Sequence, residues 1–212
     1  MKNLLFKEFK LSIHPMVYIF MLFGIMLLIP SYPSCVFLIY VLVSFIFIFA
    51  VGKENRDVYY SLTLPVSKRD IVKARLMIVG GVEIGSLIIS IPFAIISLLV
   101  LFQNGKGYGL EPTMAFYGLC LIAFAIFNIV FIPYFYKTAN NILWGFLFGA
   151  VGASLFLILF EVLSSFSFLS IINDSTALLF QVLMFVFGVV VYAVTMYITY
   201  KISAKRFEKV NF

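Results

Sequence analysis

The sequence is poor in charge. Only 11% of its 212 residues are Asp, Glu, Lys or Arg, whereas 64% are hydrophobic. A soluble domain has about a quarter of its residues charged, so this chain cannot cover a folded surface with polar groups in water. A lipid bilayer can solvate such an apolar surface. The composition therefore excludes an ordinary soluble domain and predicts an integral membrane protein.

Reactive and metal-binding residues are also scarce. The chain has one His and two Cys, and Cys35 and Cys120 stand apart, without metal or redox spacing. It contains no H-E-x-x-H motif and no recognisable pair of nucleophile and base. We therefore predict neither an enzyme nor a metal or cofactor site in this chain. The net charge of +6 is explained by membrane topology and does not require a nucleic acid.

Long apolar runs dominate the sequence and do not alternate as the strands of a membrane barrel do. Backbone groups in lipid must bond within the chain, so uninterrupted apolar runs favour helices. A helix needs about 20 apolar residues to cross a bilayer. We predict an all-α fold, a single transmembrane domain with six spanning helices at 12–29, 34–52, 76–102, 113–136, 142–163 and 176–200.

The basic residues predict the orientation of the spans. Of the 15 Lys and Arg residues, only Lys106 falls on one side of the predicted spans. Positive residues accumulate in cytoplasmic loops. Both termini, the connector 53–75 and the tail 201–212 are therefore predicted to be cytoplasmic.

The segment before the first span, 1–11, has an amphipathic pattern. At helical spacing Phe6 and Phe9 share one face, while Lys7 and Lys10 point away from it. This pattern predicts a short helix that lies in the inner headgroup layer, and an ordinary basic leader is the alternative.

Few ionisable residues fall inside the predicted spans. Glu83 lies about two turns into the third span, Glu161 near the outer end of the fifth and His14 at the inner edge of the first. An ionisable residue within a membrane is a candidate functional site by default. The alternative for Glu83 and Glu161 is structural: a carboxylate that reaches the interface or pairs with a basic residue.

Two pairs of glycines have the spacing of helix-packing motifs. Gly81 and Gly85 lie in the third span, and Gly145 and Gly149 lie in the fifth. Small residues at this spacing let helices approach closely. They can serve folding within the chain or a subunit interface, and the spacing does not decide between the two.

The residue pattern of the connector between the second and third spans predicts two helices separated by a proline. Residues at helical spacing over 54–64 predict one helix, and Pro65 ends it. Ser67 can cap a second helix with Asp70 at its third position, and that helix leads into the third span. A solvated basic loop would explain the Lys and Arg of the connector but not this order.

The run from Glu54 to Arg75 resembles the corresponding connector of ABC-2-type transporter permeases, which share the plan of six spans with both ends inside. The chain departs from that pattern at Asp57-Val58, near where Gly-Thr is usual, and at Ala74, where glycine is common. In size and in its basic N-terminal helix, the chain is similar to small permeases of Gram-positive peptide exporters of the phenol-soluble-modulin type.

This resemblance implies a type V exporter-like permease in the bacterial cell membrane. It implies that the connector is a coupling helix that docks on an ATPase subunit. It also implies two ATPase copies, a second permease subunit that is identical or related, and surrounding membrane lipid. The implied docking residues are Glu54, Arg56, Asp57, Tyr59, Tyr60 and Leu62.

The resemblance also divides the chemistry between subunits. The chain has no G-x-x-x-x-G-K-[ST] loop, so ATP and Mg are expected in the separate ATPase. The expected function is export of a hydrophobic or amphipathic cargo, cytolytic or antimicrobial peptides among the candidates. The alternative is a secondary carrier, or a membrane immunity or scaffold protein, without an ATPase partner.

Overall fold

The computed structural model describes residues 2–29, 32–55, 60–61, 66–102, 109–138, 141–164, 172–174 and 177–210. Regular structure within these ranges is all helical. The helices are α1 (Lys2–Ser12), α2 (Pro15–Met21), α3 (Val36–Glu54), α4 (Lys68–Ser97), α5 (Met114–Lys137), α6 (Leu143–Ser164) and α7 (Leu178–Glu208), with a 3-10 helix at Leu22–Leu28 and a π-helical turn at Leu98–Phe102.

Five of the described helices, α3 to α7, are long and apolar enough to cross a membrane. A sixth candidate is a bent pair, in which Leu4–Lys10 and Pro15–Leu28 meet at 85°. The predicted all-α membrane fold is therefore confirmed, with five or six candidate spans according to how the bent pair is counted.

The first predicted span, 12–29, is not one uniform α-helix. His14 Nδ1 accepts a hydrogen bond from Met16 N at 3.2 Å, and Pro15 occupies the first helical position, where no N–H is needed. The chain then tightens into the 3-10 helix, whose rise per residue is greater, so that Pro15–Leu28 extends over about 24 Å. The sharp bend sets α1 across this segment.

Helix α4 begins at Lys68, well before the predicted span 76–102. Ser67 Oγ accepts a hydrogen bond from Asp70 N at 3.1 Å and donates one to Asp70 Oδ2 at 2.7 Å. The predicted Ser67 cap is confirmed, although the Asp70 carboxylate bonds the Ser67 hydroxyl rather than the backbone N–H of a standard capping box. A single α-helix therefore continues from the connector to Ser97, and the π-helical turn at Leu98–Phe102 completes the predicted span.

The start of α4 is tied to the end of α7. Lys68 Nζ donates to Val210 O at 2.8 Å, and Arg69 Nε pairs with Glu208 Oε1 at 2.6 Å. Helix α7 extends to Glu208, beyond the predicted limit of 200, because its last turns pack here. We call this end of the molecule, where α3 and α5 also finish, the basic end.

An aromatic core joins α3 to α5. The rings of Phe45 and Phe127 lie 5.6 Å apart, and those of Phe49 and Phe131 lie 4.8 Å apart, edge to face. All four side chains are fully buried. Aromatic pairs in these geometries add stability beyond the area that they bury. They fix α5 at the centre of the bundle, where it also contacts α6 and α7.

A close crossing joins α5 to α7 through two glycines that the spacing motifs do not include. A Cβ at Gly188 would lie 2.6 Å from Gly118 Cα, and a Cβ at Gly118 would lie 2.5 Å from Met184 O. The obstacles are backbone atoms, which cannot move aside as a flexible side chain can. Gly118 and Gly188 therefore allow this contact.

The four glycines predicted from spacing differ in their surroundings. Gly145 and Gly149 face α5, where added Cβ atoms would lie 2.8 Å from Tyr134 Cδ1 and 3.0 Å from Phe127 Cδ2. Gly85 faces Met21 of α2. No described atom comes within 4 Å of a Cβ at Gly81. Gly81 thus makes no close helix contact within the described chain.

Candidate functional site

The predicted docking residues lie at the basic end as far as the structure describes them. Glu54 is the exposed last residue of α3. Tyr60 is 53% exposed, and Lys7 Nζ lies 5.8 Å from the centre of its ring. The remaining connector residues named above lie outside the described residues, so the docking helix stays a prediction. They are Arg56, Asp57, Tyr59 and Leu62, together with Pro65.

A buried ion cluster, made of Lys7, Glu8 and Arg75, lies beside the connector. Glu8 Oε1 is 3.1 Å from Lys7 Nζ, and Glu8 Oε2 is 2.9 Å from Arg75 Nε. Glu8 is fully buried, and the Arg75 side chain is only 5% exposed. A buried carboxylate is tolerated when cations and hydrogen bonds replace its water. The cluster therefore joins α1 firmly to α4.

Arg75 also contacts the end of α3. Its Nη1 donates to Ile48 O at 3.4 Å, and its guanidinium lies 5.5 Å from the centre of the Phe49 ring. Gly52 leaves the room that this side chain needs, since a Cβ there would lie 3.1 Å from the guanidinium nitrogens. Arg75 is thus the point where α1, α3 and α4 meet.

Lys7 points away from Phe6 and Phe9, as its spacing predicts, and faces the interior of the described structure. Its side chain is 12% exposed and turns toward Glu8 and Ser61, with which it forms a hydrogen bond. Phe6 and Phe9 are exposed, at 69% and 51%. They form the apolar outer face that a surface-lying helix would present to lipid. Its placement in the headgroup layer remains a prediction.

A second polar cluster, made of Glu83, Asn128 and Tyr192, lies within the spans. Asn128 Nδ2 donates to Glu83 Oε1 at 2.8 Å and to Oε2 at 3.1 Å, and the Tyr192 hydroxyl donates to Oε2 at 2.5 Å. Glu83 and Asn128 are fully buried, and Tyr192 nearly so. In the described part of the chain, no Lys or Arg forms an ion pair with Glu83. The Glu83 carboxylate therefore neither reaches the surface of the described structure nor pairs there with a base.

Two adjoining grooves run beside this cluster, each with a volume of about 520 Å³. Both are lined by Ile84 and Tyr192. The first groove lies between α4, α5 and α7 and is almost wholly apolar, and the second continues toward Lys73 and Tyr200 at the basic end. A Cβ at Gly80 would lie 3.2 Å from the Tyr192 hydroxyl, so this glycine lets the tyrosine approach α4. The arrangement can receive an elongated apolar group beside buried polar atoms.

Glu161 has a structural role at the opposite end of the bundle. Its Oε1 accepts a hydrogen bond from Leu110 N at 3.1 Å, and nearby Glu111 N donates to Asn173 Oδ1 at 3.1 Å. The first bond joins α6 to the segment before α5, and the second joins that segment to the one before α7. Partial burial, and then the negative charge of Asp174, raise the pKa of the Glu111 carboxyl.

The sequence-based interpretation missed Glu8, Asn128 and Tyr192. A weak signal existed for Glu8, since Leu4 and Glu8 are four residues apart on one face of α1 and both are buried. Asn128 is a single amide within the apolar run "FAIFNIVFIP". Pairing it with Glu83 requires the rotation of two helices about their axes, which residue spacing does not contain.

These helices, with their apolar outer faces and internal polar bonds, define a multi-pass helical membrane protein. A family model described as ABC-2 family transporter protein matches residues 3–204. The chain belongs to this family, and the resemblance found in the connector is confirmed. Comparisons with curated proteins and with solved structures gave no match.

Membership of this family makes the chain a membrane component of ABC-type transport, located in the cell membrane as a multi-pass protein. The match supports an exporter permease in general. The similarity to peptide exporters of the phenol-soluble-modulin type is not part of this match and remains a prediction.

Proposed function

We propose that the chain is the permease subunit of an ATP-driven exporter whose ATP and Mg are bound by a separate ATPase. The family match over 3–204 carries this proposal. The absence of a G-x-x-x-x-G-K-[ST] loop from the sequence supports the division of labour. On the plan of the family, two ATPase copies and a second permease subunit, identical or related, complete the transporter.

The continuity of α4 supports a route from ATP to the spans. This helix starts at the Ser67 cap next to the connector, holds Arg75 at the ion cluster and carries Glu83 within the bundle. The same helix lines both grooves. A displacement of the connector by an ATPase would therefore move one wall of each groove.

The proposed cargo is hydrophobic or amphipathic, with cytolytic or antimicrobial peptides as the candidates to test first. The grooves support this class because apolar side chains such as Ile88, Ile91 and Phe185 line the first one, while hydroxyls and Lys73 lie along the second. The outward direction follows from the family and not from the grooves.

Co-purification tests the ATPase partner. The tagged chain is expressed with each ATP-binding-cassette ATPase of its source genome that lacks spans of its own. We expect one of them to co-purify, and we expect Tyr59→Ala with Tyr60→Ala to weaken that binding about tenfold or more, because interface tyrosines often anchor binding. Tyr197→Ala, an exposed tyrosine on α7, is the matched control. Failure of every ATPase to bind the unaltered chain would contradict the proposal.

A secondary carrier is the second candidate, and the burial of Glu83 favours it. A proton-coupled carrier needs a buried carboxylate, and its transport should be lost in Glu83→Gln. The two functions are separated in vesicles that contain the chain without an ATPase. A carrier moves cargo there when a proton gradient is applied, whereas the proposed permease does not.

A further inference from the structure

We infer that α1 is a clamp that holds the connector against α4, with Lys7, Glu8 and Arg75 as its positioning residues. Lys7 binds the connector at Ser61, and Glu8 binds α1 to Arg75 of α4. This inference deepens the proposed function and rests on it, since there the connector is the contact with the ATPase.

The grip lies in the middle of the connector. Lys7 Nζ donates a hydrogen bond to Ser61 Oγ and lies over the ring of Tyr60 at 5.8 Å. Ser61 is fully buried, whereas Tyr60 is half exposed. One connector residue is thus fixed against α1 while its neighbour presents an aromatic ring outward, where a partner could reach it.

The anchor lies at the ion cluster. Glu8 has both carboxylate oxygens in use, one on Lys7 and one on Arg75, in a site without solvent access. Removing one member of a buried ion pair is strongly unfavourable, because the remaining charge stays buried without compensation. Leu4 is buried on the same face of α1 and adds apolar contact. The position of α1 is therefore sharply defined by its charges.

The clamp attaches the connector to α1, in addition to the chain connections of the connector to α3 and α4. Arg75 lies two turns beyond the Ser67 cap of α4. A force that the connector transmits through α1 therefore acts on α4 at Arg75, beyond the first turns of that helix. Such a force would tilt α4 as a rigid unit, whereas a force applied only at the N-terminus of α4 would unwind its first turn. Coupling between the connector and the spans follows from this geometry.

Hydrogen exchange of the connector amides, 55–67, tests the clamp in the purified chain in lipid nanodiscs. We expect exchange there to be about tenfold faster in Lys7→Gln, which loses a charged hydrogen bond. Lys10→Gln is the matched control: it removes the same charge from the same helix, but Lys10 is exposed. Equal exchange in the Lys7→Gln and unaltered chains would overturn the clamp.

A second pair of variants separates the clamp from general destabilisation. Glu8→Gln should accelerate exchange in α1 and the connector but not in α5, which is held by its aromatic contacts with α3 and by its packing against α6 and α7. Lys205→Gln removes an exposed charge at the same end of the molecule and should change neither. Faster exchange throughout α5 in Glu8→Gln would show that the fold as a whole is loosened, and it would contradict a local clamp.

The coupling role is measured after reconstitution with the ATPase. We expect Lys7→Gln to retain ATPase binding and to lose transport per ATP hydrolysed, whereas Lys10→Gln loses neither. Unchanged transport per ATP in Lys7→Gln would overturn the coupling role. If the unaltered chain binds no ATPase, the proposed function fails, and the exchange experiment still decides whether the clamp exists.

Discussion

At the scale of single residues, buried hydrogen bonds connect helices that apolar contact alone would leave free to rotate. Glu83 on α4 is bonded to Asn128 on α5 and to Tyr192 on α7. Ser90 and Tyr117 are 2.9 Å apart, oxygen to oxygen, and form a second bridge between α4 and α5. Lipid supplies no competing hydrogen bonds, so each bridge specifies one rotation of the helices that it joins.

Removing the Tyr192 hydroxyl tests the intramembrane cluster. Tyr192→Phe takes one donor from a buried carboxylate, and we expect it to lower the free energy of unfolding by about 0.5–2 kcal/mol, the range for hydrogen bonds between membrane helices. Tyr197→Phe, on the same helix with an exposed ring, is the control and should have no effect. Thermal unfolding in nanodiscs gives the comparison. Equal stability of the two variants would show that this bond does not hold α7 to α4.

At the scale of the element, the position of α7 depends on backbone contact. Its crossing with α5 at Gly118 and Gly188 brings the two main chains close enough to exclude a single methyl group. The contact sets how deeply α7 enters the bundle and, with it, the width of the grooves between α4 and α7.

Adding a methyl group tests this crossing. Gly188→Ala should lower the free energy of unfolding by about 1–3 kcal/mol, the usual cost of overpacking, because the obstacle is the backbone of α5. Gly81→Ala makes the same change where no described atom is within 4 Å and should be tolerated. A Gly188→Ala chain as stable as Gly81→Ala, by thermal unfolding, would be inconsistent with the close crossing.

The segment before α5 should respond to pH through Glu111. Its pKa is higher in the folded chain than in the unfolded chain, so the folded form holds the proton more tightly. The resulting stabilisation is present below the unfolded pKa and is lost as the pH rises through the folded pKa. Glu111→Gln should therefore be slightly more stable than the unaltered chain above this range. Parallel unfolding curves at all pH values would contradict the assignment.

At the scale of the whole molecule, the sequence predicts the helices well because the membrane sets their length and composition. The apolar runs gave 113–136 and 142–163, and the helices are Met114–Lys137 and Leu143–Ser164. The Ser67 cap was predictable because a cap depends on a few neighbouring residues. These features are local in the sequence.

The contacts between helices were not predictable in the same way. The glycine spacing motif pointed to Gly81, which makes no close contact with the described residues, and omitted Gly118 and Gly188, which are in close contact with each other. Glu8 and Arg75 lie far apart in sequence and meet only because α1 turns by 85° from the segment that follows it. Such pairings depend on helix rotation and bending, which are properties of the assembled bundle. Glu83 could therefore be identified from the sequence as a candidate site residue, whereas its partners Asn128 and Tyr192 could not.

The central claim is that this chain is the permease of an ATP-driven exporter. Its most direct test is transport of a fluorescent amphipathic peptide in sealed vesicles that hold the chain and its ATPase. The account predicts peptide movement that requires ATP and both proteins and that persists when the proton gradient is collapsed. Movement without the ATPase that stops when the gradient is collapsed would contradict it and would identify a carrier.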